Sequence, residues 1–206
     1  MRITALQPQR RSKKRLSVFI DGEYAFSLDR ETVAQFRLKQ GQRVEEKLLA
    51  QVVQVEQFRH CRDEAFRLLS YKARSEQELR ERLNRKGYSP VVIEQVLNRL
   101  KELTIVDDEK LARDYVEARI TIGHKGKFRV QQELLKKGID REKIANALKT
   151  APDESEAARM VIEHYLPRYR RLDETTRKRR LYGLLARRGF SAETIERVLF
   201  RSNLTD

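Results

Sequence analysis

Apolar residues recur along most of the chain at intervals of three and four positions, the spacing of one face of an α-helix. Three stretches share one pattern in register, with a leucine four positions before a glycine, an isoleucine six after it and a leucine ten after it. The glycines are Gly87, Gly138 and Gly189, so 51 residues separate each from the next. Such periodicity is typical of repeat proteins, whose units bury apolar faces against neighbouring units. The pattern predicts a mostly α-helical protein of tandem three-helix repeats in an elongated array.

Start and stop signals divide each repeat into three helices. In the first repeat, Ser75 and Glu78 have the spacing of a capping box at the start of the second helix. Gly87 is expected to end that helix in the left-handed conformation, which glycine adopts without steric cost. Ser89 and Pro90 then suit the N-cap and first position of the third helix. Glycines that bind ligands usually come in clusters, so we interpret the repeated glycine as a helix stop.

The second and third repeats follow the same plan. Asp107 or Asp108 is a natural cap for the first helix of the second repeat. Its second helix is predicted from about residue 127 to 137, and its third from 140 to 149. In the third repeat, Pro167 is expected to end or kink the first helix.

The N-terminal segment has a different pattern. In "RLSVFIDGEYAFSLD", β-branched and aromatic residues flank Asp21-Gly22, a dipeptide that suits a type I′ turn, so we predict a β-hairpin. Two strands alone are marginally stable, and we expect them to pack on a short helix from Asp29 or Arg30 and a longer one from about Val44 to His60. The predicted domains are an N-terminal hairpin with helices at 1–59 and three-helix repeats at 60–104, 105–150 and 151–206.

The charge of the chain indicates a polyanionic partner. Charged residues make up 37% of the chain and the formal net charge is +14, which favours nucleic acid through counterion release. The stretch from Tyr165 to Phe190 contains nine basic and two acidic residues, and the stretch from His124 to Lys143 contains seven basic and three acidic residues. Six more basic residues lie in the first fifteen positions without one acid. Contacts of this kind bind phosphates and carry little base preference.

A pair of basic residues also precedes each repeat glycine. Cations complement the dipole at a helix C-terminus, which explains each pair taken singly. Pairs that recur along one edge of an array would instead form a continuous surface for phosphates. The predicted residues for binding DNA or a protein–DNA filament are Arg85, Lys86, Lys125, Lys127, Arg129, Lys136, Lys137, Arg170, Arg171, Arg177, Lys178, Arg179, Arg180, Arg187 and Arg188.

Four aromatic residues lie beside these clusters: Phe128, Tyr169, Tyr182 and Phe190. Stacking on bases is one role for them. Packing in a core is the commoner role on helical faces, and we expect Tyr182 and Phe190 to be structural.

The sequence carries no catalytic or cofactor motif. "GHKGK" places two residues between its glycines and Phe128 after its lysine, whereas a phosphate-binding P-loop needs four and then a hydroxyl residue. His60 and Cys61 are adjacent and point about 100° apart on a helix, so a zinc site is not expected. The single cysteine fits a reducing compartment, and the absence of a long apolar run or signal sequence favours a cytoplasmic protein without a membrane span. We expect no enzymatic activity, no cofactor and no metal.

The stretches "LLSYKARSEQELRERLNRKGYSPVVIEQVLNRLKEL", "VDDEKLARDYVEARI", "GKFRVQQELLKKGI" and "RKRRLYGLLARRGFSAETIERVL" together resemble the RecX family, the regulatory proteins of RecA recombinase. The hairpin resembles the N-terminal extension of longer members, so the likeness covers essentially the whole chain. Its motifs are degenerate singly and specific in their order. One departure is Thr104, where the family pattern before the paired aspartates places glycine, which leaves the tightness of that turn open.

The resemblance implies a regulator that lies along a RecA–DNA filament, in its helical groove, and blocks ATP hydrolysis and strand exchange. It also implies contacts with single- and double-stranded DNA, and we expect a monomer. Basic edges would face DNA, while the acidic surface near residues 76–81 would face RecA.

Three other functions remain open. A stand-alone DNA- or RNA-binding helical protein fits the charge, although no single helix offers the exposed Asn, Gln and Arg of a recognition helix. A metal-dependent nuclease would need a carboxylate cluster that the sequence does not display. A scaffold that binds only proteins would bind its partner without strong salt dependence.

Overall fold

The computed structural model describes residues 1–10 and 12–201. Within them the chain forms a three-stranded sheet, ten α-helices and one 3₁₀ turn. The elements are β1 (Ile3–Gln9), β2 (Ser12–Ile20), β3 (Glu23–Asp29), α1 (Arg30–Gln35), α2 (Glu46–Tyr71), α3 (Glu76–Arg85), α4 (Pro90–Glu102), α5 (Asp108–Thr121), α6 (Lys127–Lys136), α7 (Arg141–Lys149), α8 (Glu154–Tyr165), the 3₁₀ turn (Leu166–Tyr169), α9 (Glu174–Arg187) and α10 (Ala192–Arg201). The prediction of tandem three-helix units behind a small β-structure is confirmed.

The predicted hairpin is formed by β2 and β3, and a third strand joins it. Asp21 and Gly22 have φ values of 51° and 94°, which are the positive angles that a type I′ turn requires. Strand β1 pairs antiparallel with β2 and gives the order β1-β2-β3, which the sequence pattern did not predict. Val18 and Leu28 are fully buried and pack with Val52 of α2, so the sheet is stabilised by a helix, as expected.

Helix α2 is longer than predicted. The helix expected to end near His60 continues without a break to Tyr71, because no glycine or proline lies between residues 46 and 71. The predicted boundary between residues 59 and 60 therefore lies inside a helix, and the four domain limits remain a prediction. By its own contacts the chain separates into two compact units, one of residues 1–72 with 80–102, the other of residues 73–79 with 103–206.

The predicted helix caps are confirmed. The Ser75 hydroxyl accepts the Glu78 N–H at 3.1 Å, and the Glu78 carboxylate accepts the Ser75 N–H at 3.2 Å, a reciprocal capping box. Asp107 is the cap of α5. Gly87, Gly138 and Gly189 have φ values of 87°, 73° and 86°, so each stops a helix in the left-handed region.

Two single residues, one of them predicted to end a helix, shape the local backbone. Pro167 ends α8, and the chain continues as the 3₁₀ turn. Thr104 has a φ of 54°, a left-handed conformation that glycine adopts more readily. A β-branched residue is strained there, which shows that the tight turn is kept without glycine.

Candidate nucleic-acid and partner interface

The turn that contains the repeat glycine is also a contact between successive repeats. In the second compact unit, the Ser75 hydroxyl donates to the carbonyl of Lys137. The Lys137 ammonium lies 3.0 Å from a Glu78 carboxylate oxygen. A Cβ placed on Gly138 would lie 2.5 Å from the Cβ of Gln77. The turn at 137–138 therefore packs directly on the start of α3.

The same contact recurs 51 residues further on. The Gly126 N–H donates to the Arg188 carbonyl at 3.0 Å, and the Phe128 N–H donates to the Gly189 carbonyl at 3.1 Å. A Cβ on Gly126 would lie 2.1 Å from the backbone of Gly189. Glycine at these positions thus serves two needs, the left-handed helix stop and the close approach of two backbones.

A carboxylate from the next repeat completes each contact. Asp108 accepts the Glu76 N–H at 3.0 Å, and Glu154 accepts the Lys127 N–H at 2.6 Å. Both acids are the first residue of a helix, and each caps the second helix of the preceding repeat. Burial raises the pKa of Asp108.

Glu154 is the more deeply buried of these two acids. Its side chain is 5% exposed. It also accepts hydrogen bonds from the Ser191 N–H at 3.3 Å and the Thr194 hydroxyl at 3.0 Å. One buried carboxylate therefore joins the starts of α6, α8 and α10.

These contacts divide the predicted basic pairs of the second and third repeats into two roles. The inner member, directly before the glycine, is held inside the fold in the second and third repeats. Lys137 pairs with Glu78, and its ammonium lies 5.5 Å from the centre of the Tyr115 ring. Arg188 donates to the His124 carbonyl at 3.4 Å and lies over the Tyr165 ring at 5.6 Å.

The outer members, two positions before the glycine, point to solvent. Arg85, Lys136 and Arg187 are all exposed. Arg85 donates to the Glu81 carbonyl of its own helix at 3.3 Å, the contact expected from dipole complementation alone. Lys136 and Arg187 form no ion pair within the described part of the chain.

The remaining predicted residues fall into a paired and an unpaired group. Lys86 lies 3.7 Å from Glu64, Arg129 lies 3.2 Å from Glu133 and Lys178 lies 2.5 Å from Glu174. Lys125, Lys127 and Arg177 are half-buried, and the Nε atom of Arg177 is buried with no hydrogen-bond partner among the described atoms. Four more of the predicted arginines are exposed and form no ion pair with any described residue: Arg170, Arg171, Arg179 and Arg180.

The basic residues of α9 face two directions. Arg180 and Arg187 are seven positions apart and share one face of the helix. Lys178 and Arg179 instead line a groove with Tyr182. These four residues were predicted as one basic cluster from their closeness in the sequence, but the helix places them on two different faces.

The aromatic residues also divide. Phe190 is 4% exposed, which confirms its structural role, and Tyr169 packs against the core of the second unit. The expectation for Tyr182 was wrong, because its side chain is 39% exposed. Phe128 is 61% exposed beside Lys127 and Arg129, so it is available for contacts.

A cluster of potential metal ligands lies in the first unit, which the sequence reasoning missed. Ligand atoms of Asp29, Glu56 and His60 lie within 4.8 Å of one another. The i, i+4 spacing of Glu56 and His60 on α2 was the available signal. The Glu56 carboxylate accepts hydrogen bonds from the Asp29 N–H at 2.9 Å and from the Thr32 hydroxyl at 2.6 Å. His60 Nε2 lies 2.8 Å from the same carboxylate.

This cluster fits a structural role. The Arg15 guanidinium lies 3.8 Å from both Asp29 and Glu56, so a cation already faces the carboxylates. With these partners Glu56 is a buried, hydrogen-bonded acid that ties α2 to β3 and α1.

No helix in the described residues has both the length and the apolar character needed to cross a membrane. A small sheet followed by three-helix units, with exposed arginines and lysines at the helix ends, defines a helical-repeat protein with a basic surface. Family models for the RecX N-terminal domain and for the first, second and third RecX three-helix domains match residues 1–45, 61–100, 107–148 and 153–199. The chain belongs to the RecX family of regulatory proteins.

Individual relatives agree with this assignment. "Regulatory protein RecX" of Bacillus subtilis is 30% identical over 195 residues, which are 94% of this chain and 74% of the relative. The protein of the same name from Listeria welshimeri is 31% identical over 156 residues, and the match spans 76% of this chain but only 58% of the relative's length.

Solved structures show the same architecture. A crystal structure of regulatory protein RecX covers 96% of this chain and 98% of its own with a TM-score of 0.73 and 28% identity. RecX from Lactobacillus salivarius covers 73% of this chain and 99% of its own with a TM-score of 0.69 and 24% identity, a likeness of fold.

Proposed function

We propose that this protein regulates RecA recombinase by binding along the RecA–DNA filament and suppressing ATP hydrolysis and strand exchange. The observation that carries the proposal is membership of the RecX family of regulatory proteins. The net charge of +14 supports a partner that contains nucleic acid. On this proposal the protein acts in the cytoplasm as a monomer, without catalysis of its own.

We assign the phosphate contacts to the basic side chains that point away from the fold. These are the outer members of the three pairs together with the exposed arginines that lack an ion pair and do not line the groove beside Tyr182: Arg85, Lys136, Arg170, Arg171, Arg180 and Arg187. The inner members Lys137 and Arg188 are assigned to packing between repeats, because their side chains already bind Glu78 and the 124–126 turn.

The test is ATP hydrolysis by RecA on single-stranded DNA with increasing amounts of this protein. Strong inhibition far below one copy per RecA would indicate action on filament growth, and stoichiometric inhibition would indicate coating of the filament. No inhibition, together with equal binding to naked and RecA-coated DNA in a gel shift, would identify a stand-alone nucleic-acid-binding protein instead.

Removal of charge tests the assigned contacts. Lys136→Gln with Arg187→Gln should weaken binding to single-stranded DNA and flatten the slope of log affinity against log salt by about 0.7 for each phosphate that is no longer neutralised. Lys39→Gln with Lys47→Gln is the matched control, since both lysines are exposed and lie outside the basic clusters. An unchanged slope in the first variant would remove Lys136 and Arg187 from the phosphate surface.

A further inference from the structure

The third repeat carries an open apolar groove between α9 and α10. Its walls are Tyr182, Leu199 and Phe200, and its rim carries Lys178 and Arg179. The groove has a volume of about 730 Å³. Phe200 is 82% exposed and Tyr182 is 39% exposed, so the groove presents an apolar patch that no described residue covers.

The equivalent position in the second repeat is covered by protein. Subtracting 51 from residues 178, 179, 182 and 199 gives Lys127, Phe128, Gln131 and Leu148, and all four line a smaller groove of about 420 Å³. The other residues that line the smaller groove belong to the third repeat: Asp153, Glu154, Ser191, Thr194 and Arg197. The starts of α8 and α10 therefore dock where the groove of the third repeat is open.

The contact in the second repeat shows what chemistry this position accepts. The docked element is the acidic start of a helix, and Glu154 accepts the Lys127 N–H at 2.6 Å. Lys178 is the residue of the third repeat that corresponds to Lys127, the first residue of α6. Helix α9 begins at Glu174, one turn before Lys178. The Lys178 N–H therefore lies inside the helix and cannot be capped in the same way. The exposed guanidinium of Arg179 supplies positive charge there instead, while Lys178 pairs with Glu174.

We propose that this groove docks an acidic, amphipathic α-helix of a protein partner. The apolar side chains of that helix would cover Tyr182 and Phe200, and its carboxylates would face Arg179, which lines the groove and is exposed. A second copy of this chain is a poorer occupant. To continue the array it would have to offer the start of the first helix of its first repeat, and that helix lies inside the continuous α2, so it has no free start. Neither Lys136 nor Arg187 lines the groove, so the proposal can be tested without RecA.

The test uses a fluorescent peptide of residues 152–166 (PDESEAARMVIEHYL), which carries the acidic helix start that fills the equivalent groove. Fluorescence polarisation should show binding to the full chain, and Phe200→Ala should weaken it by about tenfold or more, because the ring loses its buried area. Ile122→Ala is the matched control, since Ile122 is 79% exposed in the same unit but does not line the groove. A peptide with Asp153→Asn, Glu154→Gln and Glu156→Gln should bind more weakly than the acidic peptide.

Three outcomes would overturn the proposal. Peptide binding could be absent or unchanged by Phe200→Ala. Sedimentation could show a dimer that Phe200→Ala dissociates, which would identify a second copy as the occupant. Alternatively, Phe200→Ala could weaken binding of single-stranded DNA while the peptide fails to compete, which would identify nucleic acid.

RecA ATP hydrolysis measured with the same variants keeps the two proposals apart. Normal inhibition of RecA without peptide binding would refute the groove alone. Peptide binding that Phe200→Ala weakens, in a protein without effect on RecA, would refute the proposed function and leave the groove proposal supported.

Discussion

Gly126→Ala is expected to separate the second and third repeats. Gly126 has a φ of −76° and a ψ of 156°, which alanine adopts readily, so the backbone conformation itself adds no strain. The added Cβ would lie 2.1 Å from backbone atoms of Gly189 and Phe190, well inside van der Waals contact. Neither backbone can yield without breaking the hydrogen bonds that Gly126 and Phe128 donate to residues 188 and 189.

The expected decrease in stability follows from these interactions. Overpacking costs about 1–3 kcal/mol, and breaking two hydrogen bonds costs about 1 kcal/mol each. Replacement of glycine stabilises by about 0.4–1 kcal/mol through the unfolded chain. The net destabilisation is therefore about 2–4.6 kcal/mol, from the sum of these terms.

Gly183→Ala is the matched control in the same unit. Gly183 lies within α9, and an added Cβ would meet only the end of the flexible Arg187 side chain at 3.4 Å. Alanine is favoured over glycine in a helix by about 1 kcal/mol, so this variant should be more stable than the parent. Urea unfolding followed by far-UV circular dichroism measures both, and hydrogen exchange at the Phe128 amide reports the repeat contact directly. Equal stability of the two variants, or unchanged exchange at Phe128, would refute the close-approach argument.

Four further predictions concern single side chains. Glu154→Ala should lower the free energy of unfolding by about 2–4 kcal/mol in urea titration, because three hydrogen-bond donors lose a buried acceptor. Thr104→Gly should raise it by about 0.5–1 kcal/mol in the same assay, because relief of the positive-φ strain exceeds the entropy of the added glycine. Cys61 should resist alkylation at neutral pH until denaturant is added, because burial and then the charge of Glu64 raise its pKa to about 12. Burial disfavours ionised Glu133, but hydrogen bonds from Tyr115 and the nearby arginines lower its pKa overall. The stabilisation that ionised Glu133 gives to the folded protein should be complete above the ordinary glutamate pKa, and it should disappear as the pH falls through the lowered pKa of Glu133. Glu133→Gln should therefore lower the free energy of unfolding at neutral pH but not in strong acid.

Local signals in the sequence predicted the helix ends well. Serine, aspartate and glycine act through their own backbone neighbours, so the caps at Ser75 and Asp107 and the stop at Gly87 could be recognised from a few residues. Strand β1 could not be recognised in this way, because its stability comes from pairing with β2 across the sheet. The continuous α2 was not recognised: the sequence predicted a helix end near His60, although no glycine or proline lies between residues 46 and 71.

The basic surface was less predictable, because charge in a sequence does not show which side chains are already bound. Lys136 and Lys137 are identical residues in adjacent positions, yet one points to solvent and the other pairs with Glu78 from the preceding repeat. That partner lies 59 residues away in the chain, and only the stacking of repeats brings it near. The groove of the third repeat was hidden for the same reason, since its exposure depends on what the next element covers.

The three repeat glycines illustrate how one sequence signal can have two physical causes. At Gly87 an added Cβ would meet nothing within 4 Å, so only the positive φ requires glycine there. At Gly138 and Gly189 the same φ is combined with the backbone or side chain of the preceding repeat within 2.5 Å of the Cβ position. The first repeat needs the residue to stop a helix, and the later repeats also need it to let two units touch. The period of 51 residues therefore preserves a contact as well as a turn, and that contact fixes which basic residues remain free to bind a partner.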